Sequence, residues 1–358
     1  MKVLLVGEAS GVHRNLKRGL EQLGVECLHL VQLDRPSGRE FDGAFAPDWT
    51  GLSGGIARNL APYLRIAALP RFDVINFVNT ITTVVGLKAK YHDLPLLRSK
   101  ARLMSYYALG CDELGLIRRN PALPYAPCAS CLASGEMLGR DCEAFLNPRF
   151  ERSMQLANMY MDFAACSMVE YSGVEPAFPG NFVSIQFPVD VANIPFVPAQ
   201  ARAPALIVHT PTRRGFKGTD VVLEAIALLG RHRQDFRFRI LEGLAYGDYL
   251  REVQQADIVL DQVHSQSPGM NALEMLAAGK IVLTGATALG RSFFPFMQDL
   301  PVVDAPPQAS ALAQALSTLL DRREDFPMLA AEGRSYVERN HGLLKVATLF
   351  KEEWKSRL

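Results

Sequence analysis

The chain has 358 residues and a mass of 39.5 kDa, which is long for one hydrophobic core and predicts two domains. Hydrophobic residues make up 49% and charged residues 21%, so the chain can bury substantial cores and is not disordered. Lys and Arg (38) nearly equal Asp and Glu (37), which argues against a protein held to nucleic acid by neutralising phosphates. No apolar run approaches the roughly 20 residues of a membrane span, and the N-terminus resembles a strand more than a signal peptide, so we expect a cytoplasmic protein.

Short apolar strands alternate with helical patterns along both halves of the chain. In the first half the patterns predict strands at Lys2–Glu8, Val25–Gln32, Asp73–Asn79 and Arg102–Leu109, and helices at Val12–Leu23 and Leu94–Ala101. In the second half they predict strands at Ala205–Thr210, Phe236–Leu241, Ile258–Asp261 and Ile281–Thr284, and helices at Asp220–Leu229 and Asn271–Ala278. Strands separated by helices predict an α/β fold with two parallel sheets that face each other across a cleft.

Composition divides the chain at a proline-rich segment. Phe187–Pro204 contains four prolines and predicts a linker between domains at 1–186 and 187–340. The first domain includes a cysteine-containing insert at about 111–150, which lacks clear periodicity. Asp34–Gly55, rich in Gly, Pro and Asp, predicts a long and therefore functional or mobile loop.

The first candidate site joins the first strand to the first helix, at Gly7–Arg14. A glycine-bearing loop that opens a helix presents free N–H groups and a positive dipole end, which suit a phosphate or a sugar hydroxyl. Gly11 and His13 are its candidate ligands, with a plain tight turn and an exposed histidine as the alternatives. The G-x3-G spacing lacks the third glycine of a dinucleotide fingerprint. The cations that follow, including Lys17 and Arg18, form either a solvated surface or a peripheral contact with anionic lipid.

The second candidate site, His209–Asp220, runs from a predicted strand through a basic loop into a helix. Arg213, Arg214 and Lys217 stand at this helix N-terminus, although the helix dipole prefers anions there. A bound diphosphate would remove the conflict, because lysine acts on it as a point charge and arginine as a fork. A solvated basic turn is the alternative.

The third candidate site is Gln266–Lys280, which surrounds one charge in an apolar helix. A carboxylate buried at Glu274 costs several kcal/mol unless it is paired or hydrogen-bonded. The two hydroxyls of a ribose would supply two donors, and Gly269 before the helix lets a backbone approach a ligand closely. Pairing of Glu274 with a nearby Lys or Arg is the alternative.

Together these segments resemble the donor half of a GT-B glycosyltransferase, in particular the large retaining group called family 4. In that family a basic loop before Lys-Gly binds the donor diphosphate, a role that the resemblance assigns to Lys217-Gly218 with Arg213 or Arg214. A later helix carries two acids eight residues apart, of which the second binds the ribose, as Glu274 would here.

The first acid of that pair, which contacts the transferred sugar in the family, is replaced by Gln266. An amide can still bind a hydroxyl, but the replacement keeps open an inactive nucleotide-sugar-binding or partner module as the alternative function. The segment Gly269-Met270-Asn271 matches the part of the family whose backbone N–H groups face the sugar.

The resemblance is looser outside the donor half. Gly110-Cys111-Asp112-Glu113 resembles an acceptor-side turn of some members, which makes Asp112 a candidate acceptor residue. The C-terminal run resembles the helices that cross back to the first domain, here 341–358. The family implies transfer to a glycan, lipid-linked or small-molecule acceptor, polysaccharide assembly, and no required cofactor or catalytic metal.

Four cysteines in or beside the insert raise a separate possibility. Cys128 and Cys131 form a CxxC, with Cys111 before it and Cys142 after it, and four thiolates can hold a structural zinc ion. Reduced packing cysteines or an adventitious disulfide are the alternatives, since a second paired motif is absent.

Overall fold

The computed structural model describes residues 1–34, 40–47, 51–78, 83–84, 92–110, 123–135 and 159–358. The first sheet is parallel throughout, in the order β3-β2-β1-β4-β5-β6-β7. Its strands are β1 (Lys2–Val6), β2 (Glu26–Asp34), β3 (Gly43–Pro47), β4 (Phe72–Val78), β5 (Ala101–Ala108), β6 (Phe163–Cys166) and β7 (Phe182–Ser184).

The helices of this half lie in the connections between its strands. They are α1 (Val12–Gln22), α2 (Gly51–Ala68), α3 (Leu94–Lys100) and α4 (Pro127–Ala133), with a 3-10 helix at Val169–Ala177. The four residues of β1 after Lys2 are fully buried, because helices cover both faces of a parallel sheet.

The second sheet is also parallel, in the order β12-β11-β10-β8-β9. Its strands are β8 (Ala205–His209), β9 (Phe236–Ile240), β10 (Ile258–Leu260), β11 (Ile281–Thr284) and β12 (Val303–Asp304). The helices that follow in the chain are α5 (Arg214–Lys217), α6 (Thr219–Gly230), α7 (Tyr246–Gln255), α8 (Met270–Ala277), α9 (Ala288–Phe293), α10 (Ala309–Asp321), α11 (Phe326–His341) and α12 (Leu343–Arg357). No helix in the described part of the chain is both long and apolar enough to cross a membrane.

The expectation of one long loop over Asp34–Gly55 is wrong in its described part. That stretch contains the edge strand β3 and the beginning of α2. Three glycines and Pro62 discourage a helix locally, so packing against β3 stabilises α2 more than its own propensity does.

The C-terminal helix α12 returns to the first sheet and packs on α1. Gly19 makes this contact close, since an added Cβ would lie 2.6 Å from the Leu343 carbonyl oxygen. The fully buried Trp354 donates from its indole Nε1 to Ser105 Oγ at 3.2 Å. The domain limits at 186/187 and 340/341 remain a proposal, which this return of the chain and the two separate sheets support.

Candidate functional site

Each sheet has one point where the strand order reverses, and ligands of open α/β sheets bind beside such points. In the first sheet the reversal lies between β1 and β4, and in the second between β8 and β10. The loops that leave β1, β8 and β10 contain the three segments singled out from the sequence. The two domains also touch beside these loops, so the candidate site lies between them.

Lys217 closes the short helix α5 and is buried, with 8% of its surface exposed. Its Nζ donates to Asp261 Oδ1 at 2.6 Å, which leaves two of the three ammonium protons without a partner in the described part of the chain. Gly218 ends the helix at φ 72°, where an added Cβ would lie 2.3 Å from Val263. The glycine therefore lets the loop turn tightly and fixes the lysine over Asp261.

The two arginines before Lys217 face different surroundings. The Arg213 guanidinium lies 4.0 Å from the ring centroid of Phe216, a cation–π contact. Arg214 is exposed and donates from Nη2 to Glu242 Oε2 at 2.8 Å. This pair lowers the pKa of the Glu242 carboxyl, and Arg214 already has an acidic partner.

His209, at the end of β8, connects neighbouring elements of the second domain through hydrogen bonds. Its neutral ring donates from Nδ1 to the Leu260 carbonyl oxygen at 2.8 Å, and its Nε2 accepts from Thr219 Oγ1 at 2.9 Å. Burial lowers the pKa of His209 and keeps the ring uncharged. The imidazole thus fixes β8, β10 and the start of α6 relative to each other.

The helix α8 begins with an open N-terminus. Gly269 precedes it with no side-chain cap, and its first turn contains no acidic residue. The φ of Gly269 is −90°, and an added Cβ would meet nothing closer than Gln262 Nε2 at 4.0 Å. The space in front of Gly269 is therefore open within the described chain, which would let a ligand approach this backbone closely.

Glu274 lies one turn into α8 with its carboxylate largely shielded from water. Among the described residues it has neither a hydrogen-bond partner nor an ion pair within 4.0 Å, so the alternative of pairing with a Lys or Arg is not what the structure shows. Burial raises the pKa of Glu274 from 4.5 to about 7, and the more distant charge of Arg14 opposes this only in part. A carboxylate in this state lacks donors that a ligand would supply.

Both the nitrogen and the oxygen of the Gln266 side-chain amide form hydrogen bonds. Its Nε2 donates to the Tyr125 carbonyl oxygen at 3.0 Å, and its Oε1 accepts from Thr287 Oγ1 at 2.9 Å. A glutamate could not donate to Tyr125, which gives a physical reason for the amide at this position. The side chain joins the two domains, and contact with a sugar is left to its second N–H.

The asparagine of the same segment is also satisfied internally. Asn271 Nδ2 donates to Asp261 Oδ1 at 2.8 Å and to Thr210 Oγ1 at 3.1 Å, while its Oδ1 accepts from Tyr249 Oη at 2.8 Å. Its side chain therefore connects the basic loop to α8. What this segment offers a ligand is the backbone N–H groups of the first turn of α8, including those of Met270 and Asn271.

The loop after β1 is capped by its own acid. Glu8 Oε2 accepts from the backbone N–H of Arg14 at 2.9 Å, while Oε1 of the same carboxylate is buried with no partner in the described chain. Gly11 precedes α1 at φ 80°. Because a carboxylate already offsets the positive end of this helix, the loop favours a hydroxyl over a phosphate.

His13 is fully buried, although its position suggested an exposed or ligand-facing histidine. Its Nδ1 donates to the Gly7 carbonyl oxygen at 2.9 Å, and its Nε2 lies 2.8 Å from the side-chain amide of Asn76. Burial lowers the pKa of His13 to about 3, so the ring is neutral. Its contacts are those of a support for the Gly7 loop.

Helix α4 of the first domain covers the basic loop of the second. An added Cβ at Gly215 would lie 2.2 Å from Ser134 Oγ and 3.3 Å from the Ser130 carbonyl oxygen. This helix carries Cys128 and Cys131. The described residues contain no group of three or more metal-ligating side chains, but Cys111 and Cys142 lie outside them, as does Asp112.

Comparison with known proteins agrees with this geometry. Residues 212–351 match a family model described as "Glycosyl transferase-like". Sucrose-phosphate synthase from Thermosynechococcus elongatus aligns with a TM-score of 0.66 and 14% identity, over 99% of this chain and 98% of that chain. HepE from Anabaena, solved in complex with UDP and glucose, aligns with a TM-score of 0.65 and 13% identity, over 99% of this chain and 100% of that chain.

A third structure, the lipopolysaccharide outer core galactosyltransferase WaaB, aligns with a TM-score of 0.54 and 13% identity, over 100% of each chain. Comparison with curated proteins found no match. The protein has the GT-B fold, and the glycosyl transferase-like model matches part of its second half. The expected fold class is thereby confirmed.

The GT-B cleft brings together most of the candidate residues within the described chain. Lys217 and Asn271 share Asp261, while Glu274 lies near enough to Arg14 across the cleft for that charge to act on its pKa. The sequence patterns did not single out Asp261, an acid that directly follows the three apolar residues of β10. That change from apolar to charged at a strand end was the available signal.

Proposed function

We propose that this GT-B protein transfers a hexosyl unit from a nucleoside diphosphate sugar to an acceptor hydroxyl, with retention at the anomeric carbon. The observation that carries the proposal is Glu274, a carboxylate largely shielded from water and without partners among the described residues, beside an open helix N-terminus and a buried lysine. A nucleoside diphosphate supplies two ribose hydroxyls for the carboxylate and an anion for the other two groups. HepE, which shares the fold, has been solved with UDP-glucose.

In this proposal the donor lies along α8. Glu274 accepts from the ribose hydroxyls, and the N–H groups that follow Gly269 face the sugar and the phosphates. Lys217 and Arg213 bind the diphosphate and stabilise its negative charge as the glycosidic bond breaks. Such preorganised charges act mainly on the transition state, and the mechanism needs no metal or cofactor.

The acceptor lies on the other side of the cleft, beside the first domain. The unpartnered oxygen of Glu8 and the loop that contains Gly11 suit acceptor hydroxyls, with Asp112 as a further acceptor residue. A glycan, a lipid-linked glycan and a small polyol all offer such hydroxyls.

We also propose a cytoplasmic location, with peripheral membrane contact where the acceptor is lipid-linked. The basic face first considered for that contact has little spare charge. Lys17 pairs with Asp42 at 2.5 Å, and Arg18 pairs with Asp190 at 2.6 Å. A lipid contact would therefore depend mainly on the acceptor.

The test measures nucleotide release from UDP-, GDP- and dTDP-sugars, with lipid-linked and oligosaccharide acceptors. We expect Lys217→Ala to lower turnover by about 100-fold or more, the effect of losing one preorganised charge contact. Lys345→Ala, an exposed lysine on α12, is the matched control. Equal turnover in the two variants would contradict the role of Lys217.

A second candidate function is a binding module that holds a nucleotide sugar without transferring it. Two observations favour it: Asp261 already neutralises Lys217, and the Gln266 amide is occupied by Tyr125 and Thr287. Tight binding of UDP-glucose in calorimetry, with no release of UDP from it on any acceptor, would support this module. Release of UDP on any acceptor supports the transferase.

A further inference from the structure

Glu170 is a buried carboxylate that the proposed donor site does not use. It lies in the 3-10 helix after β6, in the first domain, with 1% of its surface exposed. One oxygen, Oε1, accepts from three donors of the second domain: Ser265 Oγ, the backbone N–H of Gln266, and the backbone N–H of Ser267 at 3.1 Å. All three donors belong to one loop, between β10 and α8.

The neighbour of Glu170 completes the contact in the opposite direction. The backbone N–H of Val169 donates to Ser267 Oγ at 3.0 Å. Two consecutive residues of the first domain therefore hold three consecutive residues of the second. We call Ser265–Ser267 the donor-side loop, since it leads directly to Gly269 and α8.

The second domain holds the other side of the donor-side loop. A Cβ added at Gly285 would lie 1.8 Å from the Ser265 carbonyl oxygen, and a Cβ added at Gly290 would lie 2.2 Å from the Gln266 carbonyl oxygen. The backbone N–H of Thr287 donates to the Gln266 carbonyl oxygen at 3.2 Å. The loop thus lies between a fixed support in its own domain and Glu170 of the other.

No cation accompanies Glu170 among the described residues. Burial raises the pKa of Glu170, and the three donors of the loop counteract this. Its second oxygen, Oε2, is buried and has no partner in the described chain. Besides its own backbone N–H, the donors that this buried carboxylate has among the described residues all belong to the loop, so separating the domains would expose it and release the loop together.

We propose that Glu170 is a positioning residue, which sets the geometry of the donor-side loop only when the two domains are together. The inference rests on the proposed function for its effect on transfer. Through Gln266 and the chain entering α8, Glu170 fixes the backbone that faces the donor sugar, and it does not touch the nucleotide. Closure of the cleft thereby completes the sugar side of the site and leaves the nucleotide side unchanged.

The first test needs no donor. Hydrogen exchange of the Gln266 and Ser267 amides is compared in wild type, Glu170→Ala and Glu175→Gln, an exposed acid on the same 3-10 helix. Loss of the charged acceptor should accelerate both amides in Glu170→Ala by about tenfold or more, with Glu175→Gln at the wild-type rate. Unchanged exchange in Glu170→Ala would overturn the inference.

The second test separates the sugar side from the nucleotide side. In Glu170→Ala we expect kcat to fall by about 30-fold or more, since a loop displaced by about 1 Å can cost 100-fold. UDP affinity and the KM for UDP-glucose should stay within about threefold, because Glu274 and Lys217 are untouched. Glu170→Gln, which keeps an acceptor oxygen, should lie between wild type and Glu170→Ala.

The tests distinguish the two proposals. Transfer by Glu170→Ala at the rate of Glu175→Gln refutes the positioning role and leaves the transferase intact. If amide exchange is faster in Glu170→Ala but the wild-type protein transfers no sugar, the positioning contact is supported and the proposed transferase is refuted. If Glu170→Ala lowers the folded fraction, a double-mutant cycle of Glu170→Gln and Ser265→Ala replaces that variant. Additive effects of the two substitutions on exchange and kcat would contradict the inference.

Discussion

Replacing Glu274 by glutamine should make the ligand-free protein more stable and the nucleotide complex weaker. The carboxylate is shielded from water and has no partner in the described chain, so its charged form is unfavourable when no ligand is bound. Glutamine has nearly the same volume and no charge. The variant therefore separates the effect of the charge from that of packing.

The magnitude follows from the pKa of Glu274, which burial raises from 4.5 to about 7. Below pH 4.5 both the folded and the unfolded chain hold the proton, so the carboxyl does not affect stability. Between pH 4.5 and 7 only the unfolded chain releases the proton, and stability falls as the pH rises. Because one pKa unit corresponds to about 1.4 kcal/mol, the loss above pH 7 is about 3 kcal/mol.

The assay is chemical unfolding of wild type, Glu274→Gln and the control Glu332→Gln, which removes an exposed acid on α11. The Glu274→Gln variant should exceed wild type in free energy of unfolding by about 3 kcal/mol at pH 8 and by about 1 kcal/mol at pH 5. The control should match wild type at both pH values.

Binding should change in the opposite direction. Hydrogen bonds to a charged acceptor contribute about 1.5–3 kcal/mol, so UDP should bind Glu274→Gln about 10- to 100-fold more weakly at pH 8. Below pH 7 the difference in UDP affinity between wild type and Glu274→Gln should shrink. The titration of UDP itself affects both proteins equally and cancels in this comparison. A variant that is less stable than wild type at pH 8, or that binds UDP equally well, would refute the reasoning.

Three further substitutions test the neighbouring groups. Asp261→Asn removes the anion beside Lys217 and should tighten UDP binding, measured by calorimetry; weaker binding contradicts a phosphate-binding Lys217. Gln266→Glu places a carboxylate against the Tyr125 carbonyl oxygen and should lower the free energy of unfolding by about 1–3 kcal/mol, and an unchanged unfolding curve contradicts that contact. Gly269→Ala should leave the unfolding curve unchanged yet lower donor affinity, and unaltered affinity means that no ligand approaches there.

The strand–helix alternation of both sheets could be predicted from the sequence, because a buried parallel strand is an uninterrupted apolar run. The predicted strand Ile258–Asp261 and helix Asn271–Ala278 correspond to β10 and α8 within one residue at each end. The basic loop and Glu274 could also be found, since a charge in an apolar segment is visible locally. For the start of α2 the local sequence predicted a loop, because its glycines and Pro62 disfavour a helix. Packing stabilises the helix in spite of them.

The partners of the candidate residues could not be predicted, because they are distant in the chain. Glu170 and Gln266 are separated by 96 positions, and Lys217 and Asp261 by 44. His13 illustrates the same limit, since nothing near it in sequence shows that Asn76 lies beside its ring. Sequence patterns report what a segment prefers, whereas these contacts depend on which strand ends the topology places together.

The charges of the cleft restrict which ligands can complete it. The Glu274 carboxylate lacks donors in the described chain, and the hydroxyl groups of the proposed donor would supply them. Lys217 pairs with Asp261 and has two N–H groups without a partner among the described residues, so an anion can bind it without breaking that buried pair. A neutral sugar would leave Lys217 unsatisfied, and inorganic phosphate would leave Glu274 unsatisfied. A nucleoside diphosphate sugar carries hydroxyls and phosphates in one molecule, and it satisfies both groups at once.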